Sequence, residues 1–532
     1  MRTLITSFVI VSVILATLSC NSQKKVEPGE SVVTDLQGNV NNFSNLPFDS
    51  ALVSPFYQAY PELAKYEKDV LKIYRDRGFN QIWFDQNGII EFGNSLYGKV
   101  IGLSADGISS SFPYQDKVDG IFVDQIENVL NTIETELMIS NLFLFYAEKV
   151  YKGISEDSTR AIGWLMPRKQ LTYSSLLDSV LLNPQLFVRN ENTLFPQYFK
   201  LREVLQKYRE IEKNGGWNPI DLDPKLKAYK PGDTALAILQ IRERLFVTGD
   251  ISQNNKSNLY DTELVSGVQK YQLRNGFKPD SLISPKHIKQ MNVPIGERIK
   301  QIMVNMERCR WISPEIVKAK EFIVVNIPSY KLNLFRDGKS DFESAVVVGA
   351  VMTKTVIFSG NMSYIVFSPY WNIPQSIIVK DVKPGMKKNP NYLASHNMEW
   401  NNGLVRQKPG KNNSLGLVKF IFPNSNNIYL HDTPSKSLFE RDSRAFSHGC
   451  IRVGKPRDLA ITILKDDPNW TPAKIDKAMN AGKESSYTLK HKIPVHIGYF
   501  TAWVNESGEI NFYEDIYERD GRLANLLMDS EN

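Results

Sequence analysis

Cys450 stands in the run Ser447, His448, Gly449, Cys450, Ile451, Arg452, Val453, nineteen residues after His431. One short stretch thus holds a thiol, two imidazoles and a guanidinium. A thiolate is a strong nucleophile, and a nearby base or cation makes a cysteine reactive near neutral pH. If Gly449 to Val453 is extended, side chains alternate, so His448, Cys450 and Arg452 share one face while Ile451 and Val453 take the other. Gly449, lacking a Cβ, lets substrate approach the sulfur, and its N–H with that of Cys450 could point at a developing oxyanion. His431 ends the apolar segment Ile428, Tyr429, Leu430. A histidine at a strand end can take a thiol proton once folding brings the two together.

Two other readings compete. A cysteine or histidine is often structural, but here polar groups cluster on one face. His431, His448 and Cys450 could also supply three zinc ligands, yet no further ligand or second cysteine pair stands at a familiar spacing, so no metal is expected. No Gly-rich phosphate loop or basic recognition stripe stands out, so neither a nucleotide cofactor nor nucleic acid is expected.

The segment resembles the active-site signature of the L,D-transpeptidase (YkuD) catalytic domain, in its large YcbB-like subfamily. The likeness extends through HDTPSKSLF at 431–439, RAFSHGCIRV at 444–453, SPYWNIP at 368–374, QKPGKNNSLGLVKFIFPN at 407–424 and RIKQIMVNMERCRW at 298–311. The resemblance implies that Cys450 is the acyl-accepting nucleophile and His431 the proton acceptor and donor. His448, Gly449 and Arg452 fall on the remaining signature positions, with Arg452, Tyr429 and Ser447 as candidate substrate contacts. For Arg452 an ion pair holding the scaffold is the equal alternative. The family's third contact is a backbone carbonyl near the base, which puts the main chain of Asp432 in that place.

The implied reaction joins peptidoglycan stem peptides. Cys450 would attack the carbonyl of the diamino acid preceding the terminal D-alanine of a tetrapeptide stem, release D-alanine, and pass the acyl group to an acceptor stem amine. Rivals are an L,D-carboxypeptidase, attachment of a protein amine to the wall, and a wall-binding lipoprotein without catalysis.

The elements that must position these groups suggest a multi-domain α+β protein. At 532 residues the chain is too long for one core. Lys and Arg total 64 against 58 acidic residues, a surplus too diffuse to argue nucleic acid. Residues 44–229 read as a helical scaffold domain, with Leu63, Tyr66, Val70, Ile73 and Tyr74 on one face and a dense apolar run from Leu142 to Tyr146. Residues 230–293 form a small helical module resembling a peptidoglycan-binding domain in VQKYQLRNG at 268–276, although Asp280 to Pro285 depart from that family's pattern. A connecting helix spans 294–320. The catalytic domain spans 321–500 and reads as a β-rich sandwich with a hairpin turn at Asp337 and Gly338. Residues 372–416 resemble the subfamily's capping subdomain, which implies gating of substrate entry, and 501–532 form a C-terminal extension.

The N-terminus implies export. Arg2 precedes an uncharged apolar run from Leu4 to Leu18, shorter than the roughly 20 residues that span a bilayer, so residues 1–19 read as a signal peptide. Cys20 resembles a lipoprotein acylation site, with Thr17 departing from the usual leucine, and 20–43 reads as a flexible tether. The expectation is a periplasmic protein held to the membrane by lipid on Cys20. Only Cys309 and Cys450 then remain, too few for a disulfide scaffold. Cys309, at helical spacing from Ile302 and Met306, reads as core.

Overall fold

The computed structural model describes residues 46–123 and 132–529. The expected signal peptide and tether, with Cys20, lie outside them.

The N-terminal part is helical. Glu67–Asp76 buries Val70, Ile73 and Tyr74, and Gly78 continues the chain at φ +63°. At its centre Thr132–Ala147 is buried from Thr135 onward, so it is enclosed on every side where an outer helix would bury one stripe. Glu136 within it accepts the Ile82 N–H at 2.6 Å and the Tyr74 hydroxyl at 2.7 Å. Helices Leu236–Val247, Thr262–Arg274 and Pro285–Met291 enclose a separate core around Ile238, Ile241, Leu264 and Ile288. Arg274 there grips Asp250 through two contacts of 2.6 Å and donates to the Ile510 carbonyl. That bond ties the module to the chain's C-terminal hairpin.

Helix Ile295–Trp311 joins the parts. Glu307 is 2% exposed and receives the Ile154 N–H, Trp311 Nε1 and Arg310 Nη1, while Arg310 Nη2 reaches the Asp106 carbonyl at 2.6 Å. Glu307 and Arg310 are therefore internal fasteners between helix and scaffold, while Gln301, Asn305 and Arg308 bond Thr501, Tyr513 and Asp520 of the C-terminal segment. Cys309 is fully buried on this helix, and both described cysteines are free thiols.

Residues 321–498 hold a sheet of nine strands: β1 (Glu321–Asn326), β2 (Lys331–Arg336), β3 (Lys339–Gly349), β4 (Phe358–Phe367), β5 (Val418–Ile421), β6 (Leu430–His431), β7 (Ala445–Ser447), β8 (Ile451–Val453) and β9 (Ser485–Gly498). The β2–β3 turn places Asp337 and Gly338 both at positive φ, the requirement of a tight hairpin. Pairing runs β3–β8–β6–β5–β4–β9–β1–β2, and β2 pairs again with β3. The expected sandwich is thus replaced by one sheet that closes on itself. Closure depends on β9, whose middle carries Lys490, His491 and Lys492 and does not read as a core strand, whereas Ile493, Val495 and Ile497 are buried.

Between β4 and β5 the chain leaves the ring. Strands Trp371–Asn372, Met398–Asn401 and Leu404–Gln407 form a small sheet that packs with short helices around Ile373, Ile378, Val382 and Val405. Buried Asn413 fastens its end through bonds to the Pro369 and Lys408 carbonyls.

Candidate active site

Register brings the chemistry together. In β5–β6 Lys419 lies opposite His431, and in the parallel pair β6–β8 His431 lies beside Arg452. Val366 faces Lys419 across β4–β5. Cross-strand partners share a face, so Val366, Lys419, His431 and Arg452 form one row. The alternate positions Phe420, Leu430 and Ile451 are fully buried and hold that row to the core.

His431 is 4% exposed, and its Nδ1 lies 2.5 Å from the Asp432 carbonyl. The contact fixes the tautomer: Nδ1–H donates, leaving Nε2 as the free acceptor. Burial pushes the imidazole pKa down to about 4; the Asp432 bond opposes this, and the Arg452 and Lys419 cations reinforce it. At neutral pH His431 is therefore an uncharged base.

The carboxylate of Asp432 aims that carbonyl. It accepts the Leu417 N–H at 2.9 Å and its neighbour Thr433 N–H at 2.7 Å, and pairs with Lys436 at 2.6 Å. Gly416, at φ +61°, makes room for it, since a Cβ there would stand 2.3 Å from Oδ2.

Cys450 sits one residue before β8, and the Ile451 N–H bonds the Tyr429 carbonyl at 3.1 Å. The thiol donates to the Asn427 carbonyl at 3.6 Å, and no bond joins it to His431 among the described residues. Burial raises its pKa, partly offset by Tyr429 and the Arg452 cation. The resting pair is thus a neutral thiol and a neutral imidazole. Tyr429 faces the sulfur, and its own pKa is raised by burial and by that contact.

Four sequence expectations change. The shared face of His448, Cys450 and Arg452 fails because Gly449 takes φ +114° and turns the chain, so extended structure begins only at Ile451. His448 is left exposed outside the buried row. The Gly449 N–H, expected to face an oxyanion, donates to Ser447 Oγ at 3.1 Å. Ser447, expected as a substrate contact, is 3% exposed, and its hydroxyl is spent on that N–H and the Cys450 carbonyl. Arg452 has no ion pair among the described residues, and its buried Nε lacks a partner, which removes the scaffold ion pair as its role.

Sequence reasoning missed the residues that hold the nucleophile turn. Thr353 donates to the Ser447 carbonyl and Thr355 to the Gly449 carbonyl, each at 2.8 Å. Thr355 Oγ1 also accepts the Gly349 N–H, and the Tyr517 hydroxyl bridges the Gly349 carbonyl and the Thr355 N–H. Asn424 shapes the loop that offers the Asn427 carbonyl, through bonds to Phe422 and Ile428.

Residues 320–475 match the model of the L,D-transpeptidase catalytic domain, YkuD, and residues 68–205 match a scaffold-domain model. The chain carries a YkuD L,D-transpeptidase catalytic domain. A putative L,D-transpeptidase of Haemophilus influenzae is 36% identical over 253 residues, which is 43% of this chain and 50% of that protein. The chain thus spans about half the length of the curated relative it matches. Solved L,D-transpeptidases are similar at lower identity: one from Mycobacterium smegmatis at 10% over 34% of this chain and 58% of the other (TM-score 0.20), and one from Stackebrandtia nassauensis at 14% over 52% and 95% (TM-score 0.20). Those scores are too low to speak to the site. Within the L,D-transpeptidase domain, both His431 and Cys450 fall in the matched span, whereas Tyr517 lies beyond it.

Proposed function

We propose that this protein is a peptidoglycan L,D-transpeptidase acting through a Cys450 thioester. The observation that carries the reading is His431: buried, uncharged, held by the Asp432 carbonyl so that Nε2 is free, and next in register to Arg452, two residues from Cys450. The thiol turns from the Asn427 carbonyl toward His431 and gives its proton to Nε2 as sulfur bonds the carbonyl carbon of the diamino acid. The proton then passes to the leaving nitrogen, the C–N bond breaks, and D-alanine departs. An acceptor stem amine attacks the thioester, loses its proton to Nε2, forms the new amide and returns sulfur as the thiol. The Cys450 N–H, which makes no hydrogen bond among the described residues, serves as oxyanion donor in place of that of Gly449. Arg452, unpaired and half-buried, suits a stem carboxylate.

Muropeptide analysis of a Cys450→Ala strain tests this. Cross-links between two diamino acids should vanish; their persistence at the wild-type level would remove the transferase claim. We also propose that the enzyme works outside the cytoplasmic membrane, anchored through lipid on Cys20 and with 372–416 gating the site. Retention of a Cys20→Ala protein in the membrane fraction would contradict the anchor.

A further inference from the structure

Two cations flank His431 in its row, Arg452 on one side and Lys419 on the other. Lys419 lines a cleft of about 430 Å³ with Tyr364, Val366, Ile421, Glu484 and Ser486. Its side chain is 19% exposed and loosely held: Nζ stands 3.5 Å from the Tyr370 carbonyl and 3.8 Å from Glu484 Oε2. Glu484 spends that same oxygen on the Tyr370 N–H at 2.7 Å. An ammonium has three hydrogens to donate. Burial lowers the pKa of Lys419, with Glu484 opposing, so its charge gains from any carboxylate that approaches more closely than Glu484 does.

The geometry points to Lys419 as the anchor for a carboxylate carried next to the reacting nitrogen, in both the amine that leaves and the amine that enters. This rests on the transpeptidase reading. D-alanine departs with its carboxylate carbon two bonds from the nitrogen that His431 protonates. An incoming amine reaches the thioester through the same place, because it must give its proton to the same Nε2. Lys419 is the neighbour of His431 across the β5–β6 ladder, where facing side chains start about 5 Å apart. A carboxylate drawn to Nζ from the His431 side of the row would lie one strand from the imidazole, with its adjacent nitrogen toward that imidazole. In the second step that nitrogen bonds the carbonyl carbon, the C–S bond breaks, and the amine proton travels through His431 to sulfur. The acceptors selected are α-amino carboxylates, and amines lacking the carboxylate are disfavoured.

The test offers purified full-length protein a disaccharide tetrapeptide as donor and an equal mixture of D-methionine and D-methioninamide as acceptors, with products counted by mass spectrometry. Wild type should favour the free carboxylate, and Lys419→Met should shrink that preference roughly ten- to hundredfold, the worth of one charge-assisted hydrogen bond. Lys419→Arg should keep most of it. The differing basicity of the two amines cancels in the variant-to-wild-type ratio. Were Lys419 only a fastener for Tyr370, both products would fall together and the ratio would hold, which overturns the inference, as would a wild type without preference. Lys419→Gln gives the same decision if the methionine variant does not fold. Failure of wild type to form a Cys450 thioester is a separate outcome: it overturns the transpeptidase reading and this inference with it.

Discussion

Replacing Thr355 by valine keeps the side chain's shape and removes the oxygen that holds the nucleophile turn to its brace. Thr355 is fully buried, donates to the Gly449 carbonyl at 2.8 Å and accepts the Gly349 N–H at 2.9 Å. The buried Gly349 N–H and the half-buried Gly449 carbonyl would both lose their partner. Each such group costs about 1–3 kcal/mol, so Thr355→Val should destabilise the domain by about 2–6 kcal/mol. The activity cost follows from position: Gly449 precedes Cys450, and a shift on the order of 1 Å in a reacting group can cost about a hundredfold in rate. The assay pairs urea denaturation with the rate at which a carbapenem acylates Cys450, read by intact mass. Thr355→Ser, which restores the oxygen, should recover most of both losses. Acylation within about twofold of wild type and a stability change below about 0.5 kcal/mol would refute the brace.

Other outcomes follow from the same geometry. His431 and His496 are each pushed down to about 4 by burial. Their neutral forms support the fold fully above the unfolded value near 6.5, and that support is lost as pH falls from 6.5 to about 4, by roughly 3 kcal/mol for each; denaturation across this window should show the loss, and His431→Gln should remove about half of it. Because the resting pair is neutral thiol and neutral imidazole, acylation of Cys450 should be flat from about pH 8 down to 5.5, and an acid limb near 6.5 would contradict the depressed imidazole. Gly416→Ala should displace the Asp432 carboxylate, costing about 2–4 kcal/mol from the left-handed backbone and the lost Leu417 bond, with a fall in acylation measured alongside melting. His448→Asn should acylate within about twofold of wild type, whereas His431→Ala should lose a factor on the order of a hundred or more.

The chemistry was more legible than its support. His431 and Cys450 stand out because thiol and imidazole are rare and reactive, and the apolar residues beside them alternate as strands do. The face assignment failed at one dihedral: Gly449 at positive φ turns the chain just where alternation was assumed, and neighbouring residue types do not announce that turn. The resemblance put Ser447 among the candidate substrate contacts, yet the turn consumes its hydroxyl. Thr353, Thr355, Tyr517 and Asn427 were invisible for a different reason: the brace joins segments roughly 95 and 160 residues apart through common polar types, with no periodicity to mark them. Lys419 entered only as one residue of the 407–424 likeness, and its place beside His431 is a matter of register. The ring rather than a sandwich depends on β9, whose Lys490, His491 and Lys492 mask a core strand.

The central claim is a thioester at Cys450 made with His431 as base, and the intact mass of the purified protein during incubation with a disaccharide tetrapeptide tests it most directly. The account predicts an adduct equal to the donor minus D-alanine, mapped to Cys450, with free D-alanine in solution, absent in Cys450→Ala and strongly slowed in His431→Ala. Turnover of the donor by Cys450→Ala, or an adduct on any other residue, would contradict it.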